Sequence, residues 1–317
     1  MTRRRLLLAS TGAVAGLLAL AGGAFVADPF GTLARLQEAR LRAAGARVET
    51  FAAEDGSLQR VWEVGPLSTE VPVVLLHGLG AAGDYWAGTA VSLRKLGHTV
   101  LIPDAPGSGG SQPPRSKEGY GLDGRVAALR SLFEALGLTK VDLVGHSLGG
   151  WTAARFALEE PHRIRRLVLV DAGGLFDPAP GREEELRAAL TPRDREGGRR
   201  LLDLLFFRKP FPEAGFVADA FARRYGATEN VVETVPRVTR KDGLVGREHD
   251  LPEGTVLIWG EKEALFALDG AREAASRIPK ARLLVVTGVG HDGPLEAPRA
   301  FDQALAAALE GRPVSSR

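Results

Sequence analysis

The chain has 317 residues, 44% of them hydrophobic and 25% charged, which is enough apolar material for a packed core and too much for wholesale disorder. Lys and Arg number 41 against 39 Asp and Glu, a net charge of +2 that argues against a dedicated nucleic-acid binder. Cysteine is absent, so disulfides, thiolate nucleophiles, zinc fingers and iron–sulfur clusters are excluded.

Residues 1–30 read as an address. Arg3, Arg4 and Arg5 precede an almost wholly apolar run over residues 6–26, interrupted only by Ser10 and Thr11. A basic head before such a run is the pattern of an export signal or a membrane anchor. The arginines before Leu6-Leu7 resemble a twin-arginine signal. Ala19-Leu20-Ala21 offers an A-x-A cleavage site, yet the run also reaches the ~20 residues needed to cross a hydrocarbon core. Cleaved and anchored forms both stay open; either places the body on the far side of a membrane, periplasmic or extracellular. Residues 32–45 follow as a basic, helical spacer.

Residues 48–51 and 58–64 alternate like a hairpin around the turn dipeptide Asp55-Gly56. Residues 71–76 form a continuous apolar run, the mark of a strand buried on both faces, and residues 99–102, 141–144, 166–170, 255–259 and 282–286 repeat it. Helical patterns lie between, over residues 86–96, 122–136, 151–158, 265–278 and 301–309. Strands alternating with helices predict a mainly parallel sheet with helices on both faces. From residue 175 to 251 the strand pattern stops. This stretch carries Leu201, Leu202, Leu204, Leu205, Phe206, Phe207, Phe211, Phe216 and Phe221, and it reads as a helical cap with an apolar wall over the carboxyl edge of the sheet, where ligands of open α/β sheets sit. The division is a core in two parts, 31–174 and 252–317, with the cap between them.

Gly145-His146-Ser147-Leu148-Gly149 fits G-x-S-x-G, directly after the run 141–144 and directly before a helix pattern. That context is what a nucleophile elbow requires. Small residues must flank Ser147 because the turn is strained and the helix passes close by. A serine hydroxyl is a weak nucleophile and needs a base. In the chain order Ser, acid, His only His249 and His291 lie usefully downstream. His291 follows the last strand and the turn Gly288-Val289-Gly290; His249 sits among Arg247, Glu248 and Asp250 like a solvated residue. The orienting carboxylate should follow the penultimate strand, where Glu263 is the first candidate; Glu261 and Asp171 are alternatives. An oxyanion hole takes the N–H of Leu148, after the nucleophile, and of Leu79, in the loop His77-Gly78-Leu79-Gly80, with His77 in support.

These pieces together resemble the α/β-hydrolases of the serine esterase and lipase type. The matching segments are His77-Gly78-Leu79-Gly80 with Trp86, residues 104–111, the elbow with Gly150, residues 259–263, and Gly290-His291 followed by Leu295-Glu296-Ala297-Pro298, covering about residues 45 to 312. The apolar N-terminus, the size of the cap and Thr191-Pro192-Arg193-Asp194 are similar to membrane-associated monoacylglycerol lipases and related bacterial lipases. Glu263 stands where the family usually has Asp. The resemblance implies ester hydrolysis through a Ser-His-Glu triad and an acyl-enzyme, on a small-molecule ester or lipid with an apolar acyl group, monoacylglycerols included, and with no cofactor. Carbon–carbon bond hydrolases, aminopeptidases and perhydrolases share such a triad and remain alternatives. No metal is implied, since H-E-x-x-H is lacking.

A rival reading takes Gly78, Gly80 and Gly83, with Asp104 about twenty residues on, as the G-x-G-x-x-G fingerprint of a dinucleotide site. It is disfavoured by the hairpin that precedes the first buried strand and by leaving the elbow without a purpose. A further rival is a binding protein of the same fold without activity.

Overall fold

The computed structural model describes residues 22–66, 71–178, 181–211 and 213–311; the basic head, the twin-arginine-like pair and the A-x-A triplet lie outside them. The apolar runs become strands β1 (Arg47–Ala52), β2 (Leu58–Val64), β3 (Val73–Leu76), β4 (Val100–Pro103), β5 (Val141–His146), β6 (Ile164–Val170), β7 (Val256–Gly260) and β8 (Arg282–Val286). They form one eight-stranded sheet in the order β1-β2-β4-β3-β5-β6-β7-β8. The hairpin β1–β2 and the β2–β4 pair are antiparallel, and every other pair is parallel. The chain moves outward one way from β3 to β4 and the other way from β5 to β6. The carboxyl ends of β3 and β5 therefore flank the point where strand order reverses, which is where such sheets leave a crevice.

Period-two alternation divides the sheet's side chains between two cores. Val74, Leu76, Leu143 and Leu169 face helices α3 (Leu122–Ala135), α4 (Leu148–Glu159) and α9 (Leu268–Arg277), with Phe133, Phe156 and Trp259 filling that side. Val73, Leu75, Val144 and Val168 face α2 (Ala87–Lys95) and α11 (Pro298–Glu310), with Trp62, Trp86 and Phe301. Each of these large side chains is fully buried, an arrangement that stabilises by about 1.5–3 kcal/mol apiece. One expectation needs adjustment. Residues 282–286 read as doubly buried, but β8 is an edge strand with Val285 40% exposed. An apolar run cannot distinguish a central strand from an edge.

Between β6 and β7 come α5 (Arg182–Leu190), α6 (Arg195–Leu205), α7 (Gly215–Ala227) and α8 (Glu229–Thr234). Within Thr191-Pro192-Arg193-Asp194, the Asp194 carboxylate caps α6 by accepting from the Gly197 N–H at 2.8 Å. A third apolar core, built on Leu201, Leu205, Phe206, Phe221 and Tyr225, joins these helices and reaches Leu79 on the sheet side. The short α10 (Gly293–Glu296) follows β8. Helix α1 (Pro29–Ala43) was expected as a spacer, yet it packs on the cap. Phe30 meets Phe221 at 4.9 Å between ring centroids, and the Arg224 guanidinium lies over Phe30. Among the described residues no helix is long and apolar enough to cross a membrane.

Candidate active site

Ser147 is the single residue between β5 and α4. Its φ is +55°, a left-handed conformation that costs a non-glycine residue on the order of 1–3 kcal/mol and persists only where its surroundings enforce it. The enforcement is local. The Ser147 N–H donates to the Val170 carbonyl of β6 at 2.9 Å, and the Ser147 carbonyl accepts from the Trp151 N–H at 3.0 Å. A Cβ on Gly145 would stand 2.3 Å from the Gly149 carbonyl oxygen, and one on Gly149 would stand 2.5 Å from that of Leu76. The sequence can make this turn only with glycine at both places. Ser147 thereby sits at the start of α4, whose first-turn N–H groups, Leu148 included, have no partner inside the helix.

The loop after β3 lies against this elbow. A Cβ on Gly78 would come within 3.1 Å of the Ser147 Cβ. His77 fixes the loop: its Nδ1–H donates to the Gly78 carbonyl at 2.9 Å, while its Nε2 accepts from the Ala105 N–H at 3.0 Å. The Gly78 carbonyl shares its peptide plane with the Leu79 N–H, so His77 sets the direction of that donor. The next two carbonyls are held from the cap. Tyr225 donates its hydroxyl to the Leu79 carbonyl at 3.1 Å, and Arg224 Nε–H donates to the Gly80 carbonyl at 2.8 Å. Gly80 has φ +70°, and a Cβ there would meet the Tyr225 ring at 2.7 Å.

At the ends of β6, β7 and β8 three titratable side chains converge. The His291 Nδ1–H donates to Glu263 Oε2 at 2.6 Å. Glu263 Oε1 accepts from the N–H groups of Leu265 and Phe266, at 2.6 and 3.1 Å. The carboxylate is thus held at three points, with both oxygens assigned. Helix α9 begins at Leu268, three residues later than the apolar pattern predicts. The His291 loop is fixed in turn by its N–H to the Leu205 carbonyl at 3.1 Å and by the His146 Nε2–H, which donates to the His291 carbonyl at 2.9 Å. Among the described residues no hydrogen bond joins the Ser147 hydroxyl to His291; contacts of this kind commonly tighten only around substrate.

Of the alternatives, Glu261 and His249 fall elsewhere, and Asp171 lies beside Glu263. The Glu261 carboxylate accepts from the Gly288 N–H at 2.8 Å and braces the loop before His291. The His249 side chain is 66% exposed beside Asp250. Asp171, with φ +42°, is buried and accepts from the Gly260 N–H at 2.9 Å. Burial, reinforced by the neighbouring Glu263 carboxylate, raises its pKa well above the ordinary aspartate value. The fingerprint reading fails on Asp104. Its carboxylate accepts from the N–H groups of Gly83 and Gly110, at 2.6 and 2.8 Å, and pairs with Arg60, and its fully buried side chain offers a ribose no access.

The three buried imidazoles differ. Burial pushes His77 down to about 4 and His146 well below the ordinary value, so both are neutral structural groups. Burial would lower His291 too, but the Glu263 carboxylate at its Nδ1 outweighs it and the net shift is upward. Among the described residues no cluster of three or more His, Asp or Glu side chains is placed to hold a metal ion.

Two cavities, of 580 and 420 Å³, share Ser147, Leu79, Leu190 and Leu265 in their walls. The larger runs under α5 past Trp151, Phe176 and Phe266; the smaller runs toward α1 past Phe30, Phe211 and Phe221 and includes His291.

A profile of the alpha/beta hydrolase fold matches residues 71–205. The 2-hydroxy-6-oxo-2,4-heptadienoate hydrolase of Pseudomonas putida is 31% identical over 246 residues, 73% of this chain and 86% of that protein. The chain belongs to the α/β-hydrolase family. Lipase 3 of a Moraxella species is 25% identical over 240 residues, 72% of this α/β-hydrolase and 74% of the lipase. In fold it is similar to a bacterial membrane phospholipase A, with a TM-score of 0.77 at 24% identity over 97% of this chain and 98% of that one. Sequence reasoning did not reach Tyr225, Arg224 or the raised pKa of Asp171. A tyrosine and an arginine on an amphipathic helix carry no local mark of what they touch 144 to 146 residues away.

Proposed function

We propose that this α/β-hydrolase cleaves carboxylic esters of apolar acyl groups through an acyl-enzyme on Ser147. The observation that supports the reading most is the Glu263–His291 hydrogen bond at the wall of an apolar cavity that Ser147 also lines. His291 Nε2 takes the Ser147 proton as the oxygen attacks the ester carbonyl. The N–H groups of Leu79 and Leu148 receive the negative charge that develops on the carbonyl oxygen. Glu263 keeps the proton on Nδ1 and stabilises the imidazolium. His291 then protonates the departing alcohol, and water reverses these roles to release the acid. Export by the N-terminal segment, with or without its removal, belongs to the same proposal.

The second reading is carbon–carbon bond hydrolysis, which the 31% identical relative's name favours. A dienoate is a carboxylate and needs a cation. The arginines lining the two cavities are already engaged: Arg224 with the Gly80 carbonyl, Arg187 with Glu183, Arg182 with Glu185 and Arg240 with Asp177. Mostly apolar walls, whose lining arginines among the described residues each already have an acceptor, favour a neutral ester. The test is a direct comparison of p-nitrophenyl acyl esters with a 2-hydroxy-6-oxo-dienoate. Ester turnover at least about 100-fold higher in kcat/KM, lost in Ser147→Ala, is expected. The reverse preference would move the function to carbon–carbon cleavage.

A further inference from the structure

The two cavities meet at Ser147, but His291 lines only the 420 Å³ one and Leu148 only the 580 Å³ one. This asymmetry assigns them. In the acylation step the Ser147 oxygen bonds to the carbonyl carbon, the carbon–oxygen bond to the alcohol breaks, and that oxygen takes its proton from His291 Nε2. Water then supplies the second oxygen of the acid and returns a proton through His291 to Ser147. The alcohol oxygen must therefore lie within hydrogen-bond reach of His291, so the alcohol arm occupies the 420 Å³ cavity. The acyl arm lies across the tetrahedral carbon, in the 580 Å³ cavity beside Leu148.

We propose that the substrate is an ester with two bulky apolar arms, its alcohol arm seated among Phe30, Phe206, Phe211, Phe221, Leu205 and Leu295. This rests on the ester-hydrolase reading above and narrows it. Both volumes fall within the roughly 300–1,000 Å³ of sites that enclose a whole ligand, so a methyl or ethyl alcohol would leave the second cavity unfilled. The aromatic end of that cavity offers a polar alcohol little. Its one guanidinium, Arg224, is committed to the Gly80 carbonyl and the Phe30 ring. The free hydroxyls of a glycerol arm seated among these rings would be stripped of water, since the polar groups Gln37, Asp84 and Asp292 lie elsewhere on the wall and not among the rings. Part of the wall comes from α1 through Phe30, Leu33 and Ala34, so the helix after the N-terminal segment helps to select the alcohol.

The test is a substrate matrix on the full chain: acetate and octanoate, each esterified to methanol, hexanol, 2-phenylethanol and glycerol. At fixed acyl group, hexyl and phenylethyl esters are expected to exceed the methyl ester at least about tenfold in kcat/KM, and the glyceryl ester to match the methyl one. Ala34→Trp, which intrudes on the 420 Å³ cavity, should lower the hexyl-to-methyl ratio about tenfold. Leu186→Trp, in the 580 Å³ wall, should instead lower the octanoate-to-acetate ratio. Equal turnover of all four alcohols, or a glyceryl preference, overturns the two-arm proposal and leaves the esterase reading standing. Ala34→Trp acting on the acyl ratio would show the arms reversed and overturn the assignment. No Ser147-dependent turnover of any ester sinks both.

Discussion

Replacing Glu263 by glutamine is the sharpest perturbation of the site, because the structure dictates how the amide must sit. In the wild type, Oε1 accepts two backbone N–H bonds, from Leu265 and Phe266, and Oε2 accepts from His291 Nδ1. Glutamine has one acceptor oxygen and one donor nitrogen. Turning its NH₂ toward the two backbone donors would set donors against donors in a buried place, at about 1–3 kcal/mol for each group left unpaired. The oxygen therefore stays with Leu265 and Phe266, and the NH₂ faces His291. Nδ1 must then accept, the proton moves to Nε2, and the imidazole presents a hydrogen where a base needs a lone pair. The wrong tautomer in a triad costs about 10⁴ in kcat, equivalent to roughly 5.5 kcal/mol at 1.36 kcal/mol per decade. We expect Glu263→Gln to lower kcat for a p-nitrophenyl ester by about 10³- to 10⁴-fold with KM little changed, measured by steady-state and single-turnover kinetics. The pH profile carries the same information. The Glu263 carboxylate holds His291 above the ordinary imidazole range against the pull of burial, so wild-type kcat/KM should rise through a pKa above about 6.5 as His291 loses its proton. Removing the charge should move that limb to lower pH. A fall in kcat smaller than tenfold, with the limb unmoved, would refute the orientation argument.

Tyr225→Phe removes the hydroxyl that holds the Leu79 carbonyl and leaves a buried acceptor unpaired, a cost of about 1–3 kcal/mol. If that bond aligns the loop, kcat should fall about 5- to 100-fold and affinity for a boronate mimic of the tetrahedral intermediate should fall in parallel, with KM nearly constant; a change in KM alone would assign Tyr225 to substrate binding. Asp171→Asn should keep kcat within about tenfold, because the amide oxygen can still accept from the Gly260 N–H. Its effect should be on stability. A carboxyl with a raised folded pKa contributes fully below its ordinary value of about 3.9, and that contribution is lost as pH rises through the raised value. The Tm of Asp171→Asn relative to wild type should therefore climb from pH 5 to pH 8; a severe loss of kcat with a flat Tm difference would make Asp171 the triad acid.

What the sequence disclosed and what it hid follow from one distinction. The tight turn at Ser147 was legible because sterics leave so few residue types at positions 145 and 149, and the meeting of Glu263 with His291 was legible because strand order fixes which loops meet at one edge of a parallel sheet. The same logic fails where a contact joins an element to something remote. Helix α1 read as a spacer because its local pattern is merely helical and basic, while its role comes from Phe30 meeting Phe221 across the fold. His77 was legible as support but not in its manner, which depends on one ring nitrogen taking Ala105 and the other holding Gly78. The raised pKa of Asp171 arises from burial beside a second carboxylate, and no spacing in the sequence announces how deeply that carboxyl is buried.

The most direct test of the central claim is to trap the covalent intermediate. The enzyme is mixed with an octanoate ester, quenched within a single turnover, digested and mapped by mass spectrometry. An octanoyl group on the peptide containing Ser147, absent in Ser147→Ala and accumulating to a lower level in Glu263→Gln, is the expected result. Product release at the wild-type rate with no acyl group on Ser147, or with the label on another residue, would contradict the account.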